Sequence, residues 1–563
     1  MRNPRTILAL LGVALLMGCA GPQNQPVSGA SQSQTRSGPK RIVVAIRGEP
    51  HNLNDRINSA GPGGVAGVAE LAQLISTGLA DMDGTTVVAP RLAAELPTVE
   101  NGLWQITSDG RMTTTWKLRP NLIWHDGASF TGDDLVFTAA VGQDKEVGLL
   151  RDRAYDFVDG VDAPDPMTVT VRWNGTYILA DNLFSAFATP LPRHVLELPF
   201  VEDRANFIGH AYWTREFIGT GPFKLREWAQ NSHLVIAAFD RYALGRPKLD
   251  EIEVRFFLDP NVVIANLLAG TVEMTMGRGI SLEQGVEARD QWREGTLGLS
   301  YSSWIALFPQ FINPTPAVIG DARFRRALMH AADRKSMIDT IVYGQVPVPT
   351  SFVNPGLPES RETEAAAVRY DYDPRRAAQL IEELGYTRGG DGFFASAGQR
   401  LGVEVRTTAG DDLRDELLYA TSDYWQKNGV GVDTVIIPRQ RTDDREYRST
   451  RPGFEMVRQP NALSEGALRR YHGQEAALPE NGFRGQNRTR YASPELDGLI
   501  DRYLVTVPRQ DRIEVLRQMV RHISEQLPIM GITYNVEAML IAKRIVNVDA
   551  NVATRNGHEW DVR

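Results

Sequence analysis

Short β-branched runs alternate with amphipathic stretches from residue 41 onward, and this alternation restricts the fold more than any other feature of the chain. RIVVAI (41–46), RMTTTWKLRP (111–120), MTVTVRW (167–173), HLVIAAF (233–239), EIEVRFF (251–257) and VGVDTVIIP (430–438) read as strands. Helical periodicity runs through 65–84, 321–344, 373–386 and 509–528. In the second of these, Asp321 is placed to cap the helix, and Phe324, Leu328, Ala331, Ile338 and Ile341 share one face. The chain has 563 residues, and single cores stop growing near about 250–300. The expectation is an α/β protein of at least two lobes.

Cys19 is the one cysteine, so no disulfide can staple these lobes together. Its surroundings suggest another use. Arg2 and Arg5 precede an apolar stretch, Ile7 to Met17, that is too short to span a bilayer and is followed by small residues, as in a secretory signal. Leu16-Met17-Gly18-Cys19 resembles the bacterial lipobox, in which the cysteine is lipidated and becomes the first residue. Residues 1–18 are thus expected to be a lipoprotein signal peptide. Residues 19–40 would be the lipidated Cys19 and a flexible tether of about 25 Å. No other apolar run reaches 18 residues. The net charge of −8 gives no electrostatic reason to expect nucleic acid as a partner.

Motifs for catalysis or metal binding are not apparent. Trp124-His125-Asp126-Gly127 puts a histidine beside a carboxylate, but neighbours on a strand point to opposite faces, so a structural turn is expected. The nine histidines include no pair at metal-ligand spacing, so neither a metal nor a cofactor is expected. GPGGVAG (61–67) lies too far from the preceding strand for a dinucleotide fingerprint. It reads as a plain loop or as a cleft-lining loop in which Gly64 and Gly67 let a ligand approach the backbone. Residues 439–490 hold eleven Arg, seven acidic residues and no Lys, which fits either a solvated basic surface or bidentate carboxylate recognition.

Seven stretches in order resemble the bacterial extracellular solute-binding proteins of family 5, the oligopeptide, dipeptide and nickel type. They are TTWKLRPNLIWHDGASFTGDDLVFT (114–138), GTGPFKLREW (219–228), RYALGRPKLDEIEVRFFLDPNVVIANLLAGTVEM (241–274), DARFRRALMHAADR (321–334), YDPRRAAQLIEELGY (372–386), NRTRYASPELDGLIDR (487–502) and EQLPIMGITYN (525–535). The resemblance implies a two-lobed, periplasmic-binding-protein-like α/β fold of the large type II, three-subdomain variety, with a hinge of two crossings. Lobe one would be 41–300 plus 520–563, with an insert near 86–214, and lobe two would be 301–519. A ligand, a peptide or another small polar solute, would be trapped between the lobes and passed to an ABC permease driven by its ATPase. The protein would act as a monomer, held to the outer side of a membrane by its lipid.

The resemblance also implies where the ligand would be met. Glu49, His51 and Asn52 follow the first strand near the hinge, and Trp304 and Phe308 sit where the chain enters lobe two, as cleft or core. Arg458 ends a strand-like run leading into the cleft. Peptide-binding members continue with a Trp and then an Asp for the peptide ammonium, whereas this chain carries Asn461 and Ser464, with Glu465 one residue on. Losing that carboxylate disfavours a free ammonium, and an anionic ligand at Arg458 is the competing reading. A transport-independent sensor or envelope scaffold of the same fold is the alternative function, and a secreted hydrolase a more distant one.

Overall fold

The computed structural model describes residues 38–58, 65–82, 88–150, 153–185, 189–550 and 554–563. Cys19, the signal peptide, Gly64 and most of the tether lie outside them. No helix among the described residues is long and apolar enough to cross a membrane.

The strands used below are β1 (Arg41–Ile46), β2 (Trp104–Ile106), β3 (Met112–Lys117), β4 (Val158–Asp165), β5 (Thr168–Trp173), β6 (Phe223–Ala229), β7 (His233–Ala238), β8 (Glu251–Phe256), β9 (Met274–Thr275), β10 (Gly295–Pro309), β11 (Gly402–Thr408), β12 (Gly431–Ile437), β13 (Phe454–Gln459) and β14 (Met530–Ala542). Ten of them form one sheet in the order β12-β11-β13-β10-β14-β9-β1-β8-β7-β6. A separate four-stranded sheet, β2-β3-β5-β4, belongs to the expected insert.

Two long strands run through the middle of the large sheet. β10 has 15 residues and β14 has 13, and they pair antiparallel from Gly295↔Ala542 to Leu307↔Met530, with a bulge between Tyr301 and Ser303. At about 3.3 Å per residue, β10 spans roughly 50 Å, more than one core is wide. Its ends accordingly belong to different cores. On one side, β1, β8 and β9 pack with Ala538–Ala542. On the other, Ile305 and Leu307 point into a core with β11, β13, Met530 and Ile532. Alternating with them, Trp304, Ala306 and Phe308 point into a third core with Val457, Tyr534 and two helices, α1 (Pro494–Val505) and α2 (Arg509–Gln526). Burial of both faces of β10 from Ser303 to Pro309 explains why that part lacks the polar alternation that marks a half-exposed strand.

The helices differ from the sequence expectation in two places. Of the described part of the stretch 65–84, residues 65–82, only Val68–Ile75 is helical. Beyond it the backbone is extended, because Thr77 and Thr220 exchange hydrogen bonds (Thr77 N–H to Oγ1, 3.0 Å; Thr220 Oγ1 to Thr77 carbonyl, 2.6 Å) and Gly78 lies against the Phe184 carbonyl. The stretch 321–344 is two helices, Ala322–His330 and Arg334–Ile341, each opened by an aspartate cap, Asp321 and Asp333.

The core around the four-stranded sheet also exchanges residues with the third core. Ile178 is buried among α1, α2 and their neighbours, while Val507, in the turn between those helices, is buried in the core around β2, β3 and β5. Val507→Ala removes two methyl groups from this joint, worth about 1.5 kcal/mol. Amide exchange across 176–183 is expected to quicken by roughly tenfold as a result; unchanged protection would show that the contact is not holding the segment.

Candidate functional site

The strand directions alone generate a cleft. β1 is parallel to β8 and β9, and β9 is antiparallel to β14, so β1, β8 and β9 run in the direction of β10, from the first core toward the second. β13 is antiparallel to β10 and parallel to β11, which is parallel to β12, so these three run back toward the first core. The carboxyl ends of both strand sets therefore face each other across the crossings. In open α/β sheets, ligands bind in the crevice outside carboxyl ends.

The first rim is built directly on β1, β8 and β9. Arg47 follows β1 immediately, Leu258 follows β8, and Arg278 follows β9; with Glu49, His51, Val65, Ala66, Arg215 and Trp228 they line an open cavity of about 980 Å3. Glu49 is anchored there. One carboxylate oxygen accepts from Trp228 Nε1 (3.0 Å) and the other from the Asn231 N–H (2.9 Å). His51 lines the cavity, exposed to solvent, its N–H donating to Asn58 Oδ1 at 3.1 Å. Asn52 does not line it: buried beneath, its Oδ1 accepts from the Asn54 N–H (3.0 Å) and Asn58 Nδ2 (2.8 Å), fixing the turn. Gly67, at φ 102°, packs against Ile46; a Cβ there would lie 2.3 Å from that side chain, so only glycine brings this helix onto the end of β1.

The second rim carries Asp411, Arg458 and Asn461. Arg458 is held by Asp411, accepting at 2.8–3.1 Å from Nε and Nη2. Asp411 also takes Arg414 (2.9 Å) and caps the following helix, Asp412–Lys427. Asn461 is 2% exposed, and its Nδ2 has no hydrogen-bond partner among the described residues. Glu465 pairs with Arg469 at 3.0 Å. Trp304 and Phe308 are buried core residues of the sheet, and among the described residues Trp304 Nε1 has no hydrogen-bond partner.

The remaining arginines of 439–490 serve the interior more than the surface. Glu455, wholly buried on β13, accepts from Arg448 Nη2 (2.5 Å), Arg448 Nε (3.1 Å) and Arg488 Nη1 (3.3 Å), with Arg451 at 3.7 Å. His125 is likewise structural. Its Nδ1 accepts from the Gly219 N–H (3.1 Å) and its Nε2–H donates to the Gly221 carbonyl (3.0 Å). Among the described residues no group of three or more His, Cys, Asp or Glu could hold a metal ion.

Sequence reasoning missed Arg47, Arg215 and Arg278. The available signal was positional: Arg47 is the first residue beyond RIVVAI, where a parallel strand delivers its neighbour to a cleft.

Comparison with known proteins agrees with this architecture. The oligopeptide-binding protein AppA of Bacillus subtilis is 24% identical over 455 residues, covering 78% of this chain and 77% of that protein. The structure of HbpA2 from Haemophilus parasuis superposes with a TM-score of 0.73 at 16% identity, covering 93% of this chain and all of that one. NikA from Brucella suis, solved with Fe(III)-EDTA, gives 0.71 at 17% identity, with the same coverage. These likenesses establish the two-lobed periplasmic-binding-protein fold. The family model for bacterial extracellular solute-binding proteins, family 5, matches residues 88–462, more than half of the sequence, and the chain belongs to that family.

Proposed function

We propose that this protein is the lipid-anchored substrate-binding component of an ABC importer, capturing a peptide or another small polar solute between its lobes and delivering it to a permease and its ATPase. The observation that carries the reading is the facing of two sets of strand carboxyl ends across β10 and β14, with a cavity of about 980 Å3 on one rim. That volume lies at the upper end of the roughly 300–1,000 Å3 of small-ligand sites. In this reading the halves divide at β10 and β14, and 86–214 forms the insert. The protein works as a monomer that closes and opens and performs no chemistry on its cargo.

The test is a ligand screen read by melting and by solution scattering. A cognate solute at 100 times its Kd is expected to add about 2.7 kcal/mol of stability and to lower the radius of gyration. A broad panel of peptides, sugars and organic acids that moves neither quantity would count against capture by closure. The anchor is tested separately: Cys19→Ser is expected to transfer the protein from the membrane fraction to the soluble one. Retention on the membrane would rule out the lipid.

A further inference from the structure

We infer that the solute is a multi-carboxylate anion, and that Arg47, Arg215 and Arg278 receive it. This inference rests on the solute-binding reading above and names the charge class of its ligand.

The cavity on the first rim is lined by three arginines and one glutamate, a net charge of +2 within a chain whose net charge is −8. The one acidic group is committed, since both Glu49 oxygens already accept N–H donors from Trp228 and Asn231. Neither Arg47 nor Arg215 has a carboxylate partner among the described residues, and both are exposed to the cavity. Arg278 is partly balanced, with Glu537 at 3.7 Å and Glu70 within electrostatic reach.

Several surface arginines outside the cavity, among them Arg226, Arg246 and Arg323, sit within 4 Å of a carboxylate. What sets Arg47 and Arg215 apart from other exposed arginines is that they line one concavity together with Arg278. Guanidiniums left without counter-ions inside a concavity are costly to desolvate unless the ligand supplies the charge. Their planar forks match carboxylates in bidentate fashion.

The facing rim agrees. Its aspartate, Asp411, is taken up by Arg414 and Arg458, and the nearby unpartnered polar atom, Asn461 Nδ2, is a donor. The carboxylates placed on the two rims, Glu49 and Asp411, both already accept N–H donors. Such a site selects for acceptors and against cations.

The experiment uses the full chain with three N-acetylated tripeptides, Glu-Glu-Glu, Ala-Ala-Ala and Lys-Lys-Lys, and with tricarballylate, in calorimetry and scattering. Binding of the glutamate peptide, tricarballylate or both, with the lysine peptide weakest, is the expected result. A preference between the first two identifies the source as peptide or organic acid. Arg47→Gln and Arg215→Gln should each weaken the bound anion by about tenfold and flatten its salt dependence, while Arg376→Gln changes neither. Equal or tighter binding of the lysine or alanine peptide, or arginine variants within twofold of the parent, would overturn the charge class while leaving solute capture intact. Binding and compaction by none of the four probes would overturn the inference and count against the capture reading as well.

Discussion

Replacing Glu455 by glutamine is expected to destabilise the second half of the protein by about 3–5 kcal/mol, the cost of stranding a buried charge. Glu455 is wholly buried, between Phe308 of β10 and Arg406 of β11 in the sheet. Burial alone would raise its carboxyl; the guanidiniums of Arg488, Arg451 and Arg448 overcome that and hold it below the usual carboxylate range. The dependence is mutual. Arg451 is also wholly buried, and burial pushes it down to about 9 against the attraction of Glu455. It remains because its fork donates to the carbonyls of Phe308 (2.8 Å), Arg488 (2.9 Å) and Arg448 (3.1 Å). Without the glutamate charge, three guanidiniums would repel one another around a wholly buried Arg451. The denaturation midpoint should fall, and amide exchange should quicken across 439–490. The double variant Glu455→Met, Arg451→Met should recover part of the loss, because it removes charge from both sides. A single variant within 1 kcal/mol of the parent would show instead that solvent screens the network.

This network also shows where sequence reasoning stops. An arginine-rich stretch without lysine was legible in 439–490, as was its suitability for carboxylate pairing. Which carboxylate it meets was not, because Glu455 lies on a strand whose inward face is set by pairing with β10, almost 150 residues away. The shorter strands β1, β7, β8 and β12 could be read to within a residue or two, since each carries a compact run with β-branched residues. The long strands β10 and β14 could not, since neither carries a β-branched run and, where both faces are buried, the alternating period is lost. Trp304 and Phe308 stayed ambiguous for the same reason: an aromatic on an unrecognised strand has no assigned side. The cavity arginines come from positions 47, 215 and 278, and only parallel pairing of β1 with β9 brings the first and last of them together.

Acid should weaken this protein through His125, by about 3 kcal/mol between pH 6.5 and pH 4. Burial depresses the imidazole from 6.5 to about 4, opposed by its hydrogen bond to the Gly221 carbonyl. The bonding explains why the neutral form is required: Nδ1 must accept from the Gly219 N–H, and a proton there would set two donors face to face. In the unfolded chain the same ring takes up its proton near pH 6.5. Between the two values the unfolded state binds more protons, so stability rises with pH. The contribution is complete above about pH 6.5 and is lost as pH falls toward 4. Half-buried Asp181, raised to about 6 by desolvation, titrates in the opposite sense, so the parent curve alone mixes the two. His125→Gln separates them, since its amide can still accept from Gly219 and donate to Gly221 but cannot take a proton. The variant should be flatter than the parent over that interval by about the stated amount, and parallel curves would remove His125 from the account. What fails in acid is a specific joint. Gly219 and Gly221 pack against Ile75 at the end of the first-rim helix, and His125 comes from the Trp-His-Asp-Gly turn of the insert. Protonation therefore loosens the turn at 124–127 from Gly219, Gly221 and the helix end at Ile75.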